Sequence, residues 1–245
     1  MRIPHILPLF MMLAFTVGAC DTPHALQPDG GEAALSAAAT PAQGPAGSAM
    51  ATSDLYRFAD MEVVEGAHAQ LIRTPDALRI RTHTTELDHG HVMTLWWIIF
   101  NHPEHCEHGA DGMSCGEGDL FHGPDGATGV EPACVYADGS LVGGNGGARF
   151  HDRITLGHGP RDSCIDFFVD LVPELEGTDH GLTNPMGAEV HLVVRSHGPR
   201  IPGMVSQQRS TFAGGCTEFL APGATHELEP GECSDLQLAL FAGGG

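Results

Sequence analysis

No lysine occurs in the 245 residues, and the 11 basic residues stand against 31 acidic ones, a formal charge of −20 at neutral pH. An acidic chain without lysine argues against a nucleic-acid partner and against electrostatic attraction to anionic lipid. Such a charge keeps an exported protein soluble and suits a salty habitat. Aromatic residues make up only 6%, fewer than expected of a module that stacks sugars on aromatic rings. No H-E-x-x-H, S-x-x-K or P-loop sequence is present, so none of those catalytic signatures is available. Asp125–Gly126 and Asp138–Gly139 are turn dipeptides rather than parts of an EF-hand loop. A glycosidase built on scattered carboxylates would leave no motif to find. C-x₂-C spacing is missing too, which disfavours thiolate zinc sites. No internal repeat and no amphipathic helix longer than two turns can be found.

What is present begins with a leader. Residues 1–19, MRIPHILPLFMMLAFTVGA, hold one arginine and then an apolar run ending in small residues, the pattern of a secretory signal. Val17–Gly18–Ala19–Cys20 closes that run and resembles a bacterial lipobox. The resemblance implies cleavage before Cys20 and a diacylglyceryl thioether on its sulfur, hence a membrane partner through a lipid anchor. Asp21 behind that cysteine resembles the inner-membrane retention signal of some Gram-negative bacteria. Residues 20–53 are rich in Ala, Pro, Gly and Ser and have no aromatics. They bury too little apolar area to offset their ordering entropy and read as a flexible tether, with a short helix around Glu32 to Ala39 as an option. Residues 54–245 are then one domain.

Without Cys20, six cysteines remain. An even count in an exported chain implies disulfides, for which six cysteines allow about 15 pairings. Neighbour pairing brackets one loop per bridge: Cys106–Cys115, Cys134–Cys164 and Cys216–Cys233.

The strand pattern is antiparallel. Leu78 to Glu86 alternates, with Leu78, Ile80, Thr82 and Thr84 on one face. His91 to Phe100, HVMTLWWIIF, is apolar in both alternating sets and holds both tryptophans, so it reads as a strand buried on both faces. Cys134 to Tyr136, Ala148 to Leu156 (Phe150, Ile154 and Leu156 inward), Ile165 to Val172, Gly187 to His197, Ile201 to Phe212 and Asp235 to Phe241 complete the set, with a hairpin turn at Ala137–Ser140. The fold class expected is all-β, an antiparallel β-sandwich or barrel-like domain of about eight strands with long Gly/Pro/His-rich loops. The segments LWWIIFNHPEHC, GAEVHLVVRSHGP and CSDLQLALF together resemble a family of uncharacterised bacterial exported proteins across most of residues 80–241. That family has no established activity, so it transfers no catalytic residue. AEVHLVVRSHGP is also similar to the His-x-His stretches of copper/zinc superoxide dismutase and chordin-type domains, but His191 and His197 are six apart rather than two.

Chemistry concentrates in histidine. Six of the 16 histidines fall within residues 83–108. Imidazole is the commonest zinc and copper ligand. His102, His105 and His108 follow the tryptophan strand and form the main candidate site for zinc or copper, with affinity falling at acid pH because bound imidazoles must be neutral. His89 and His91 stand at the strand's entrance, about 33 Å away at ~3.3 Å per residue, so two sub-clusters are expected rather than one cage. Glu189, His191, Arg195 and His197 share a strand face and read as an exposed surface with an ion pair; were that strand beside the tryptophan strand, His191 or His197 could meet the His-rich loop and join the metal candidates. Two functions remain: a lipid-anchored, disulfide-stabilised extracytoplasmic binding or interaction domain for a protein or small ligand, with a divalent metal on the loop histidines, or a small copper- or zinc-dependent metalloenzyme.

Overall fold

The computed structural model describes residues 42–43, 47–109, 112–120, 129–157, 163–165, 179–216, 218–219 and 232–244. Ten strands are defined among them: β1 (Ala42–Gln43), β2 (Ala49–Arg57), β3 (Val63–Thr74), β4 (Ala77–Thr84), β5 (His91–Phe100), β6 (Pro132–Leu141), β7 (Ala148–Thr155), β8 (Glu189–Pro199), β9 (Glu218–Phe219) and β10 (Glu232–Phe241). Eight form one antiparallel sheet in the order β6-β5-β8-β10-β2-β3-β4-β7. It is barrel-like and nearly closed. No ladder joins β6 to β7; instead the Asp138 carboxylate accepts the His151 amide at 3.1 Å across that seam. Among the described residues the complete helical elements are a 3₁₀ turn at Pro103–His105 and two single turns, α1 (Glu117–Leu120) and α2 (Val205–Gln208).

Two cores explain why β5 is apolar on both faces. Met93, Leu95, Trp97 and Ile99 point into the barrel with Leu71, Leu78, Ile80, Phe150, Val190, Leu192 and Val194. Trp96 and Phe100 point outward and are covered by Cys115, Leu120, Val130, Ile165 and Phe212, together with Val193, Leu238 and Leu240. The outer core exists because loops fold back over the wall β6-β5-β8-β10. Three disulfides fasten those loops: Cys106–Cys115, Cys134–Cys164 and Cys216–Cys233. A cross-link lowers the entropy of the unfolded chain, so each loop is held at reduced cost.

Several expectations change. The sheet reaches back to Ala49, and β1 lies further back still, both within the stretch read as tether. Ala137–Ser140 is no hairpin; β6 runs straight through it, with a bulge opposite Leu95 and Trp96 in which Ala137 is the extra residue. Leu156 lies just past β7 and is exposed. Ile201 to Phe212 is turns and α2, because Pro202 and Gly203 interrupt any ladder. A bulge between Asp235 and Gln237 sends Leu236 to the inner core and Leu238 and Leu240 to the outer one. Residues 166–172 and the optional helix at Glu32 to Ala39 lie outside the described residues. Among the described residues no helix is long and apolar enough to cross a membrane.

Candidate functional site

The end of the barrel where β5 finishes and β8 begins carries the histidine-rich loop, and buried acids hold it there. Asp119, at the end of that loop, is fully buried and accepts the amides of Glu107, His108 and Gly116 and the His108 imidazole at 2.9–3.1 Å. Burial alone would raise its carboxyl, but the amides of Glu107, Gly116 and His108 with the His108 ring outweigh it and hold it below the usual carboxylate range. Glu189 opens β8, opposite Phe100. Its two oxygens accept the Ser114 and Cys115 amides at 2.9 Å, and one also meets His191 Nε2 at 2.9 Å. Arg73, at the end of β3, donates to the carbonyls of Pro185 and Ala242. Burial lowers its guanidinium to about 10, with the Glu189 charge pulling the other way, so it stays cationic at neutral pH.

Asn101 closes the frame. Its side chain donates to the carbonyls of Glu131 and Gly181 and accepts the amides of Thr183 and Asn184. The Glu131 carbonyl is gripped twice by Asn101, and Glu131 sits at φ 49°, a left-handed conformation costly for a residue with a Cβ. The twist aims its carboxylate at the loop: Oε2 accepts Thr183 Oγ1 at 2.9 Å and lies 3.6 Å from His102 Nε2. The other ring nitrogen of His102 lies 3.2 Å from Glu104. The own-chain amide of Glu104 and the His102 ring hold that exposed carboxyl below its ordinary range. His105, on the same 3₁₀ turn, has its ring centroid 6.2 Å from that of His102.

The structure therefore divides the expected histidines. His102 and His105 are neighbours at the barrel mouth, together with Glu104 and Glu131. His108 is turned aside onto Asp119. His191 joins Glu189 and packs edge-on to Phe100 at 5.2 Å. His89 and His91 are at the far end, where His91 pairs with Pro199. His197 is also away from the loop. Its Nε2 meets Thr94 Oγ1 at 2.9 Å, its Nδ1 donates to the Gly214 carbonyl at 2.8 Å, and Trp96 Nε1 donates to the same Thr94 hydroxyl. Burial, then the Arg195 charge, pushes His197 down to about 4. The outward face of β8 is thus not exposed: Glu189, Arg195 and His197 are all buried beneath the disulfide-bearing loops.

Two groups among the described residues bring three donor atoms within 4.8 Å of one another: His197 with Cys216 and Cys233, and Asp119 with Cys106 and Cys115. Both could bind a metal once reduced; in each the two sulfurs are bonded to each other and present no thiolate. His102, His105 and His108 do not form such a group. Sequence reasoning missed Asp119, Asn101 and Glu131 and read the buried Glu189 as exposed, because their roles depend on partners distant in sequence. The one local signal was an acid, Glu189, opening a strand whose Val190, Leu192 and Val194 are apolar. No family model, curated protein or solved structure matches this chain.

Proposed function

We propose that this chain is a lipid-anchored, extracytoplasmic binding domain whose barrel mouth takes a divalent cation between His102 and Glu131, with His105 and Glu104 at hand. The compartment rests on the three disulfides, which persist in oxidising surroundings. The anchor rests on the Val17–Gly18–Ala19–Cys20 sequence.

One observation carries the site. The protein buries Asp119, Glu189 and Asn101 at the barrel end to fix loop backbone, and holds Glu131 in a strained conformation, while His102 and Glu131 stay near the surface facing each other at 3.6 Å. That gap is too long for a hydrogen bond and close to the separation of two ligands on one tetrahedral zinc, whose bonds are about 2.0–2.2 Å. Buried polar groups cost several kcal/mol unless paired, so a frame of this kind is retained where a surface constellation must stay in place. Zinc or copper fits an imidazole–carboxylate set.

Calorimetry with zinc and with copper, on protein without a histidine tag, tests the reading. His102→Ala and Glu131→Gln are each expected to weaken binding by tenfold or more, the scale of losing one ligand, and His108→Ala to leave it unchanged. Equal affinity in all four proteins, or loss only in His108→Ala, would overturn the assignment.

A further inference from the structure

The barrel has one covered wall and one bare wall. The disulfide-tied loops lie over β6-β5-β8-β10. Among the described residues nothing comparable covers β2-β3-β4-β7. The outward positions of that bare wall are Arg79, Arg81 and His83 on β4, Arg149, His151, Arg153 and Thr155 on β7, Glu65, His68, Gln70, Ile72 and Thr74 on β3, and Met50, Thr52 and Asp54 on β2, where Asp54 stands opposite His68. Four arginines and two histidines occupy the seven outward positions of β4 and β7, and no acid does; the wall's outward acids, Glu65 and Asp54, stand on β3 and β2. In a chain of net charge −20 this is a sharp segregation. Arg79 stands directly opposite Arg153, Arg81 opposite His151, and Arg149 opposite His83. With strands about 4.8 Å apart and same-face residues nearly 7 Å apart, the guanidinium groups form a lattice. Only Arg153 is in an ion pair, at 3.4 Å from Asp76 in the β3–β4 turn; Arg79, Arg81 and Arg149 make none among the described residues. A shallow depression of about 500 Å³ lies among Ile72, Arg79, Arg81, His151, Asp152 and Arg153.

The entry of the chain lies on the same wall. Met50, one residue into β2, is exposed and begins the cross-strand row Met50–Ile72–Arg79–Arg153. The chain arriving from Cys20 thus joins the fold beside the arginine lattice. Residues 21–41, between Cys20 and β1, reach about 75 Å at most at ~3.3–3.6 Å each, so an anchored domain can lie flat on its membrane.

We propose that this wall is a docking surface for anionic phospholipid headgroups, on which the domain rests when its lipid holds it at the membrane. The proposal rests on the lipid-anchor reading for its biological setting. Guanidinium is the side chain suited to phosphate, which it can hold through two parallel hydrogen bonds. The acidic remainder does not forbid the contact. At physiological salt the Debye length is about 8 Å, and an opposite wall lies ~10 Å or more away, so its acids are largely screened at the bilayer surface. The exposed Met50 and half-buried Ile72 add apolar contact at the row's edge.

The test uses unlipidated Cys20→Ser protein sedimented with vesicles of phosphatidylcholine alone or of phosphatidylcholine mixed with phosphatidylglycerol, at near-physiological salt. Partition into the anionic vesicles only is expected. Arg79→Gln, Arg81→Gln and Arg153→Gln should each reduce it about fivefold, since one basic group at such a surface contributes about 1 kcal/mol. Arg57→Gln, whose guanidinium is already bonded to Asp60, Glu62 and Glu86, should change nothing. Equal binding to both vesicles, no binding, indifference to the three arginines, or tighter retention by soluble heparin or duplex DNA than by vesicles would each overturn the proposal. Failure here with a lipidated Cys20 in the wild type sinks the docking wall alone; success here with an unmodified Cys20 sinks the anchor alone.

Discussion

Burial decides what each histidine does. His102 and His105 sit at the surface and are offered to solvent, whereas His197 is fully buried between Thr94 and the Gly214 carbonyl. A neutral imidazole satisfies both partners, donating from Nδ1 and accepting at Nε2; a second proton would oppose the Thr94 hydroxyl and stand beside Arg195. The folded-state value of about 4 lies below the ordinary 6.5, so the unfolded chain binds the proton first. The stability this contributes is complete above pH ~6.5 and is lost as pH falls toward ~4, on the order of 3 kcal/mol at 1.36 kcal/mol per pH unit. Urea unfolding of wild type and His197→Gln across that window checks the sign. Wild type should lose the more stability on acidification; parallel curves would show that His197 does not drive the loss.

At the scale of strands and loops, periodicity told much and distance told the rest. β4, β5, β7, β8 and β10 were legible because alternation or a double apolar face is a local signal, and the two tryptophans of β5 mark two cores because adjacent residues point to opposite faces. Asp138–Gly139 misled as a turn because turn-forming residues also sit well beside a bulge, here at Ala137, and only pairing with β5 tells the two apart. The outward face of β8 read as exposed because its cover comes from loops remote in sequence. The frame of Asn101, Asp119 and Glu189 was illegible for the same reason, since each binds backbone amides, which carry no residue identity. Cross-linking also belongs to this scale. The disulfides span separations of 9, 30 and 17 residues. In the chain-entropy model a loop of ~15 residues is worth about 3 kcal/mol, rising slowly with length. Paired Cys→Ser variants should therefore lower stability in the order Cys134–Cys164, then Cys216–Cys233, then Cys106–Cys115, with differences under ~1 kcal/mol between successive pairs. Chemical denaturation would measure this, and a dominant effect of the shortest loop would contradict the entropic account.

For the whole molecule, net charge proves a poor guide to contact, because a sum over the chain discards position. The sequence argued against electrostatic attraction to lipid, yet antiparallel pairing of β4 with β7 gathers four of the arginines on two adjacent strands whose outward positions hold no acid. Membrane attachment is then expected to have two parts of different character. Acyl chains on Cys20 would bind through buried CH₂ groups at about 0.8 kcal/mol each, a term indifferent to salt. The arginine wall would bind through charge and weaken as the Debye length shrinks from ~8 Å at physiological salt to ~3 Å at 1 M. Membrane fractions washed at low and at high salt separate the two. Wild type should stay with the membrane in both washes, and mass spectrometry should find its N-terminus at a diacylglyceryl-modified Cys20. Cys20→Ser should remain at low salt and leave at high salt. Wild-type protein that leaves at high salt, or that carries an unmodified Cys20, would show that charge alone holds the domain and that the lipobox resemblance is fortuitous.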